Sequence, residues 1–197
     1  MPPIKTFEDM LKHVLACFKR GAGEGKPLHQ SCLKITFIIV GALKKSYLKE
    51  AAADYLQRIK RCIPVESIVV KENSPGGKSV AAHAARVIPS LKKEAQDIRG
   101  RCKHGDFKVA LSDAGVMLDT KGFSKFIEDF ITGRRAGKER LCFIVGGAYG
   151  LDKGIIAEAD MTLSLSRMTL PHEMAFVVLL EQVYRALTII KREPYSH

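Results

Sequence analysis

The sequence predicts an α/β domain: a mostly parallel sheet with helices on both faces. Two observations carry this expectation. Short runs rich in β-branched and aromatic residues alternate along the chain with longer segments of helical period. Such alternation implies strands linked by helical crossovers, and hence a sheet covered on both sides. The run Leu141–Val145 (LCFIV) fits this, because it reads as a strand buried on both faces. At 197 residues, the chain suits one ordinary domain with a real core.

Taken in order, Met1–Cys32 differs in character from the rest of the chain. Phe7, Met10, Leu11, Val14, Leu15 and Phe18 recur at helical spacing, and the loop GAGEGKP comes next at Gly21–Pro27. This predicts an N-terminal extension over 1–32, a short amphipathic helix on a flexible linker. It is either an appended docking element or upstream sequence without a role. Leu33–Gly41 (LKITFIIVG) predicts the first strand. Lys45–Arg61 predicts a helix with Tyr47, Leu48, Ala51, Tyr55, Leu56 and Ile59 on one face. Val65–Val70 is a second strand and Asn73–Lys78 a loop. Ser79–Ile98 reads as a helical region broken by Pro89. Phe107–Leu111 is a third strand, Gly122–Thr132 a helix, and Leu141–Val145 and Met161–Leu165 further strands. Pro171–Lys191 is the final helix, with Pro171 suited to a first-turn position.

The formal net charge is +11, which points to a polyanionic partner such as nucleic acid or to a generally basic surface. The five cysteines (Cys17, Cys32, Cys62, Cys102 and Cys142) include no Cys-x-x-Cys pair. Their spacings suit neither a zinc site nor a disulfide framework. A reducing cytoplasmic setting without a bound metal is the expectation. No apolar stretch is long enough to span a bilayer, and Glu8 and Asp9 argue against a secretory signal.

Three segments follow strands, where ligands of open α/β sheets gather: Leu111–Gly115 (LSDAG), Gly146–Gly150 (GGAYG) and Leu163–His172 (LSLSRMTLPH). Glycines there let a backbone approach a cofactor, although a Gly-Gly after a strand is also an ordinary turn. The glycines match neither the dinucleotide fingerprint nor the P-loop, and Lys153 lacks the P-loop spacing. Ser164, Ser166 and His172 have no nucleophile elbow behind them.

Order and combination say more. The runs FIVGGAYGL, LSLSRMTLPHE, VVLLEQVYRALTII and EPYSH, preceded by LKITFIIVGALKKSYLKEAAADYLQRIKR, resemble the ribosomal RNA large subunit methyltransferase H family. That family comprises the minimal SPOUT methyltransferases. The resemblance covers about Leu33 to His197. It implies a SPOUT domain over 33–197 with a C-terminal trefoil knot, an exception to the rule against threaded connections. It also implies S-adenosyl-L-methionine as cofactor and a homodimer, which suits a last helix apolar nearly all round.

Carried over by motif, Leu111, Gly146 and Gly147 match cofactor-contacting positions, as do Leu165, Ser166, Arg167, Met168, Thr169 and Leu170. The three hydrophobes of the last segment serve equally well as core. The reaction implied is methylation of N3 of a pseudouridine in 23S ribosomal RNA, on the assembled ribosome. N3 must lose its proton before it attacks, so a base or orienting group is needed. The candidates are His172, Glu181, Tyr195 and His197. Arg167 and Arg185 are candidate RNA contacts, with Glu181–Arg185 pairing as the plain alternative for the latter.

The chain departs from the family at Phe176, where an arginine is usual, at Ser112 after Leu111, and in the Tyr195-Ser196-His197 tail. Phe176 falls one helical turn after His172, so both are expected on the RNA-facing side, and Phe176→Arg is expected to be tolerated. Two rival functions remain: a SPOUT enzyme acting on another RNA such as transfer RNA, and a non-catalytic ribosome-binding factor that kept the fold.

Overall fold

A computed structural model describes residues 34–73, 80–132 and 140–193. The 1–32 extension and the tail carrying Tyr195 and His197 lie outside the described residues. The elements run β1 (Lys34–Val40), α1 (Ser46–Lys60), β2 (Val65–Val70), α2 (Val80–Arg101), β3 (Asp106–Met117), α3 (Thr120–Ile131), β4 (Arg140–Val145), α4 (Lys153–Ala157), β5 (Met161–Ser164) and α5 (His172–Lys191). All five strands are parallel, in the order β2-β1-β4-β3-β5. The expected α/β class with helices on both faces is therefore observed.

The period of two along each strand sorts the core into two clusters. On one face Ile35, Phe37 and Ile39 of β1 and Leu141, Phe143 and Val145 of β4 meet α1, α3 and α5. On the other, Ile38, Val40, Cys142 and Ile144 meet Ala95 and Ile98 of α2 and Ile155 of α4. Helix α5 packs against both α1 and α3, which is why it is apolar around most of its circumference. Among the described residues no helix is long and apolar enough to cross a membrane.

Three local expectations change. α2 runs unbroken through Pro89, whose ring lies on the exposed side, so the lost backbone bond does not disturb packing. β3 continues to Met117 through an irregularity in which Leu111 and Val116 both oppose Leu163 of β5. The short α4 is additional, capped by Asp152, whose carboxylate accepts from Gly154 N at 2.8 Å.

Phe176 corrects the sequence reading. It is 2% exposed and sits edge-on to Phe37, ring centroids 6.0 Å apart, in the main core. Four residues along a helix turn about 40° past a full circle. That rotation leaves His172 at the rim and carries Phe176 inward with Leu179, Leu180 and Val183. Arginine at 176 would bury an unpaired charge, so tolerance of Phe176→Arg is not expected of this fold.

Candidate active site

The C-terminal ends of β3, β4 and β5 open into one cavity of ≈ 740 Å³. Its walls come from three loops and one helix start. Leu111, Ser112 and Asp113 contribute from β3, and Val145 through Leu151 follow β4. Leu165, Ser166 and Met168 through Pro171 follow β5, and His172 and Ala175 open α5.

Each loop has a local cause. After β4 the backbone doubles back, with Gly150 N donating to Gly147 O at 3.0 Å and Gly150 in the left-handed region (φ 78°). Gly146 is buried, and a Cβ there would lie 2.5 Å from both the carbonyl carbon and the oxygen of Gly150. Its smallness is thus demanded by its own loop. After β5, Ser164 Oγ donates to Ser166 O (2.9 Å) and Met168 N to Ser166 Oγ (3.0 Å), shaping a tight side-chain-supported turn. Pro171 caps α5, and its carbonyl accepts from Ala175 N at 2.9 Å.

His172 is half-buried on the cavity wall, and its Nε2 is buried with no hydrogen-bond partner among the described residues. A buried imidazole nitrogen left unsatisfied is costly unless a ligand completes it. Its neighbour Glu173 does a different job. The Glu173 carboxylate accepts from the backbone N–H groups of Lys44 (2.8 Å) and Lys45 (3.4 Å), just ahead of α1. Those two amides, Lys44 first, hold the Glu173 carboxyl below the usual carboxylate range. This clamp ties the exposed Lys44-Lys45-Ser46-Tyr47 segment to the start of α5. No motif pointed to Glu173; an acidic residue in the first turn after Pro171 was the available signal.

The cavity gathers every expected cofactor position except Arg167. That side chain is exposed, and its Nε donates to Met117 Sδ at 3.2 Å. Glu181 and Arg185 are elsewhere, more than two turns along α5 from His172. Arg185 donates to Glu181 through Nε (2.9 Å) and Nη2 (2.6 Å), the plain pairing expected at that spacing.

Comparison with known proteins gives a consistent picture. A family model described as "Predicted SPOUT methyltransferase" matches residues 33–197. The chain is similar to the "Ribosomal RNA large subunit methyltransferase H" of Ruminiclostridium cellulolyticum, 42% identical over 164 residues, spanning 83% of this chain and 99% of that protein. The protein of that name from Carboxydothermus hydrogenoformans is 38% identical over the same shares, and that from Streptococcus suis 36% identical over 163 residues. Among solved structures, a probable methyltransferase from Bordetella pertussis Tohama I aligns with a TM-score of 0.50 at 13% identity. The alignment covers 80% of this chain and 98% of that one, a likeness of fold alone.

Proposed function

The chain belongs to the SPOUT methyltransferases, within the ribosomal RNA large subunit methyltransferase H family, and on that premise we propose that it methylates N3 of a pseudouridine in 23S ribosomal RNA, using S-adenosyl-L-methionine, on the assembled ribosome. The observation that carries the reading is the cavity that the three segments share at the strand ends. Its ≈ 740 Å³ falls in the range of small-molecule sites, about 300–1,000 Å³, and its walls come from the LSDAG, GGAYG and LSLSRMTLPH segments together. The residues fit the cofactor. Leu111, Leu165 and Leu170 supply apolar walls, and Gly146 and Gly147 add backbone to the lining.

S-adenosyl-L-methionine, when bound, brings both the methyl group and its sulfide leaving group. What remains for the chain is placement of the base and removal of the N3 proton. His172 is the described residue proposed for that proton, because it lines the cavity and its buried Nε2 has no partner among the described residues. Tyr195 and His197 are proposed to join it from the tail. The Glu173 clamp holds the start of α5 against the loop bearing the exposed Lys44 and Lys45, which are proposed to meet RNA phosphates, Lys44 in exchange for its pairing with Glu72 at 3.4 Å. Arg167 and Arg185 are proposed RNA contacts beyond the cavity, with Glu181, paired to Arg185 at 2.6 Å, proposed to hold it.

A homodimer is part of the same proposal. Val116, Met117 and Met168 are exposed apolar residues near the rim, 58%, 48% and 75% accessible, and a partner protomer would cover them. The C-terminal trefoil knot and a cytoplasmic setting belong to the same family reading. Phe176 lies in the main core, so the departure from the family at that position bears on packing.

The test is transfer of labelled methyl to ribosomes lacking the modification, to naked ribosomal RNA and to transfer RNA. Transfer to ribosomes alone is expected. His172→Asn should lower the rate about 10²–10⁴-fold while calorimetry shows unchanged cofactor affinity. Transfer to transfer RNA, or cofactor binding without transfer to any RNA, would replace this reading.

A further inference from the structure

The strands' other ends hold a second cluster of reactive side chains. Cys102 follows α2, Asp106 opens β3 and Cys142 lies on β4. Their two Sγ atoms and a carboxylate oxygen all come within 4.8 Å of one another. Asp106 is already committed. Its Oδ1 accepts from Arg140 Nε at 2.7 Å, and its Oδ2 accepts from the other Arg140 nitrogen and from Lys103 N at 2.7 Å. The two sulfurs are left facing each other.

They are unequal. Cys102 is half-buried at the edge of the smaller core, whereas Cys142 is fully buried. A hydrogen bond from the Cys142 thiol, with help from Lys108 and Arg140, holds the Cys102 thiol below its ordinary pKa; the same hydrogen bond and burial push Cys142 up. Thr36 lies opposite Cys142 across the β1–β4 pair, on the same face, and its buried Oγ1 has no partner among the described residues. A hydroxyl there suits a sulfur that must briefly lose its proton.

We propose that Cys102 and Cys142 form an oxidisable dithiol, a modification site whose co-reactant is hydrogen peroxide. The Cys102 thiolate attacks the peroxide O–O bond, forming S–O and releasing hydroxide, which takes a proton to become water. Cys142 loses its proton and its sulfur displaces the sulfenic oxygen, which leaves as a second water. The two thiols have then given two electrons to one peroxide, and a disulfide joins the end of α2 to β4. This site is independent of the methyltransferase reading. Cys62 stands apart, beside Lys191 at the end of α5.

The test uses the full chain with Cys17, Cys32 and Cys62 changed to serine. It is exposed to one equivalent of hydrogen peroxide and then to dimedone, which traps sulfenic acid. The parent should lose two hydrogens in intact mass, reversibly with dithiothreitol, and peptide mapping should link Cys102 to Cys142. Adding Cys142→Ser should leave Cys102 stranded as sulfenic acid, with at least about tenfold more dimedone label than the parent. Equal labelling of parent and variant, or absence of the linked peptide in the parent, overturns the proposal. The peptide map needs no buried substitution, so misfolding of Cys142→Ser does not obscure it. A zinc ion retained by the reduced parent and released only by a mercurial overturns it in favour of a metal site.

Discussion

The two ends of β4 lie only a few residues apart and are built on opposite principles. At its start, Arg140 and Asp106 form a buried ion pair, with side chains 7% and 2% exposed, and Arg140 also reaches the Arg101 carbonyl at 3.2 Å. The charged groups there are paired with one another or with backbone, while the buried Thr36 Oγ1 opposite Cys142 has no partner among the described residues. At its end, Val145 opens into Gly146–Gly147, the backbone turns back on itself, and across the cavity the His172 Nε2 has no described partner. The ion-paired end holds the fold, and the open end presents a cavity to a ligand. A parallel sheet favours this division, because the loops leaving the C-terminal ends of its strands converge on one side.

The comparison breaks most readily at the clamped end. Asp106→Ala leaves Arg140 buried and uncompensated, and should cost ~3–5 kcal/mol in denaturant unfolding. Replacing both residues by similarly sized apolar ones should cost far less, and an equal cost would show that the pair itself, not the orphaned charge, carries the stability. Cofactor affinity of the folded fraction should not move.

Phe176 tests how closely the open end rests on the core. Phe176→Ala should cost about 3–5 kcal/mol by removing the ring against Phe37, and Phe176→Arg should cost more. Thermal unfolding of the two variants measures this. A stable, active Phe176→Arg protein would return the residue to the RNA side.

Gly146→Val should act mainly at the open end. The added atoms meet the Gly150 backbone, so the loop must shift; cofactor affinity should fall at least about tenfold, with ~1–3 kcal/mol lost in stability. Calorimetry and unfolding on one preparation separate the two effects. Undiminished binding would detach this loop from the cofactor.

The smallest effect is expected at Glu173. Its folded pKa lies below the unfolded carboxylate value of about 4.3. Its contribution is therefore fully present above that value and is lost as pH falls through the lower folded pKa. Glu173→Gln should cost less than about 1 kcal/mol at neutral pH. The gap between wild type and variant should close on acidification; a gap that widened instead would mean that the Lys44 and Lys45 amides do not set the effect.

Much of the fold was legible because strand and helix periods are local. The positions of β1, β2, β4, α1, α3 and α5 follow from alternating or helical spacing within a residue or two of the observed bounds. Less local features were not. The continuation of β3 past Leu111 depends on β5 offering it a partner, and Gly115 lies so close to that strand that a Cβ would sit 2.6 Å from the Leu163 carbonyl carbon. The persistence of α2 through Pro89 depends on which side of the helix that residue faces.

The site divides in the same way. Sequence alone determined the α/β class, the family and the three segments that line the cavity, because motif order and hydrophobic period are properties of the chain itself. Tertiary structure decided what those segments face. It turned Phe176 into the core, since four residues overshoot a helical turn, and it joined Glu173 to the amides of Lys44 and Lys45. It also brought Cys102 and Cys142 together, a pair that cysteine spacing gave no reason to expect. Contacts between residues distant in the chain depend on how the strands are ordered in the sheet, and no local pattern encodes that order.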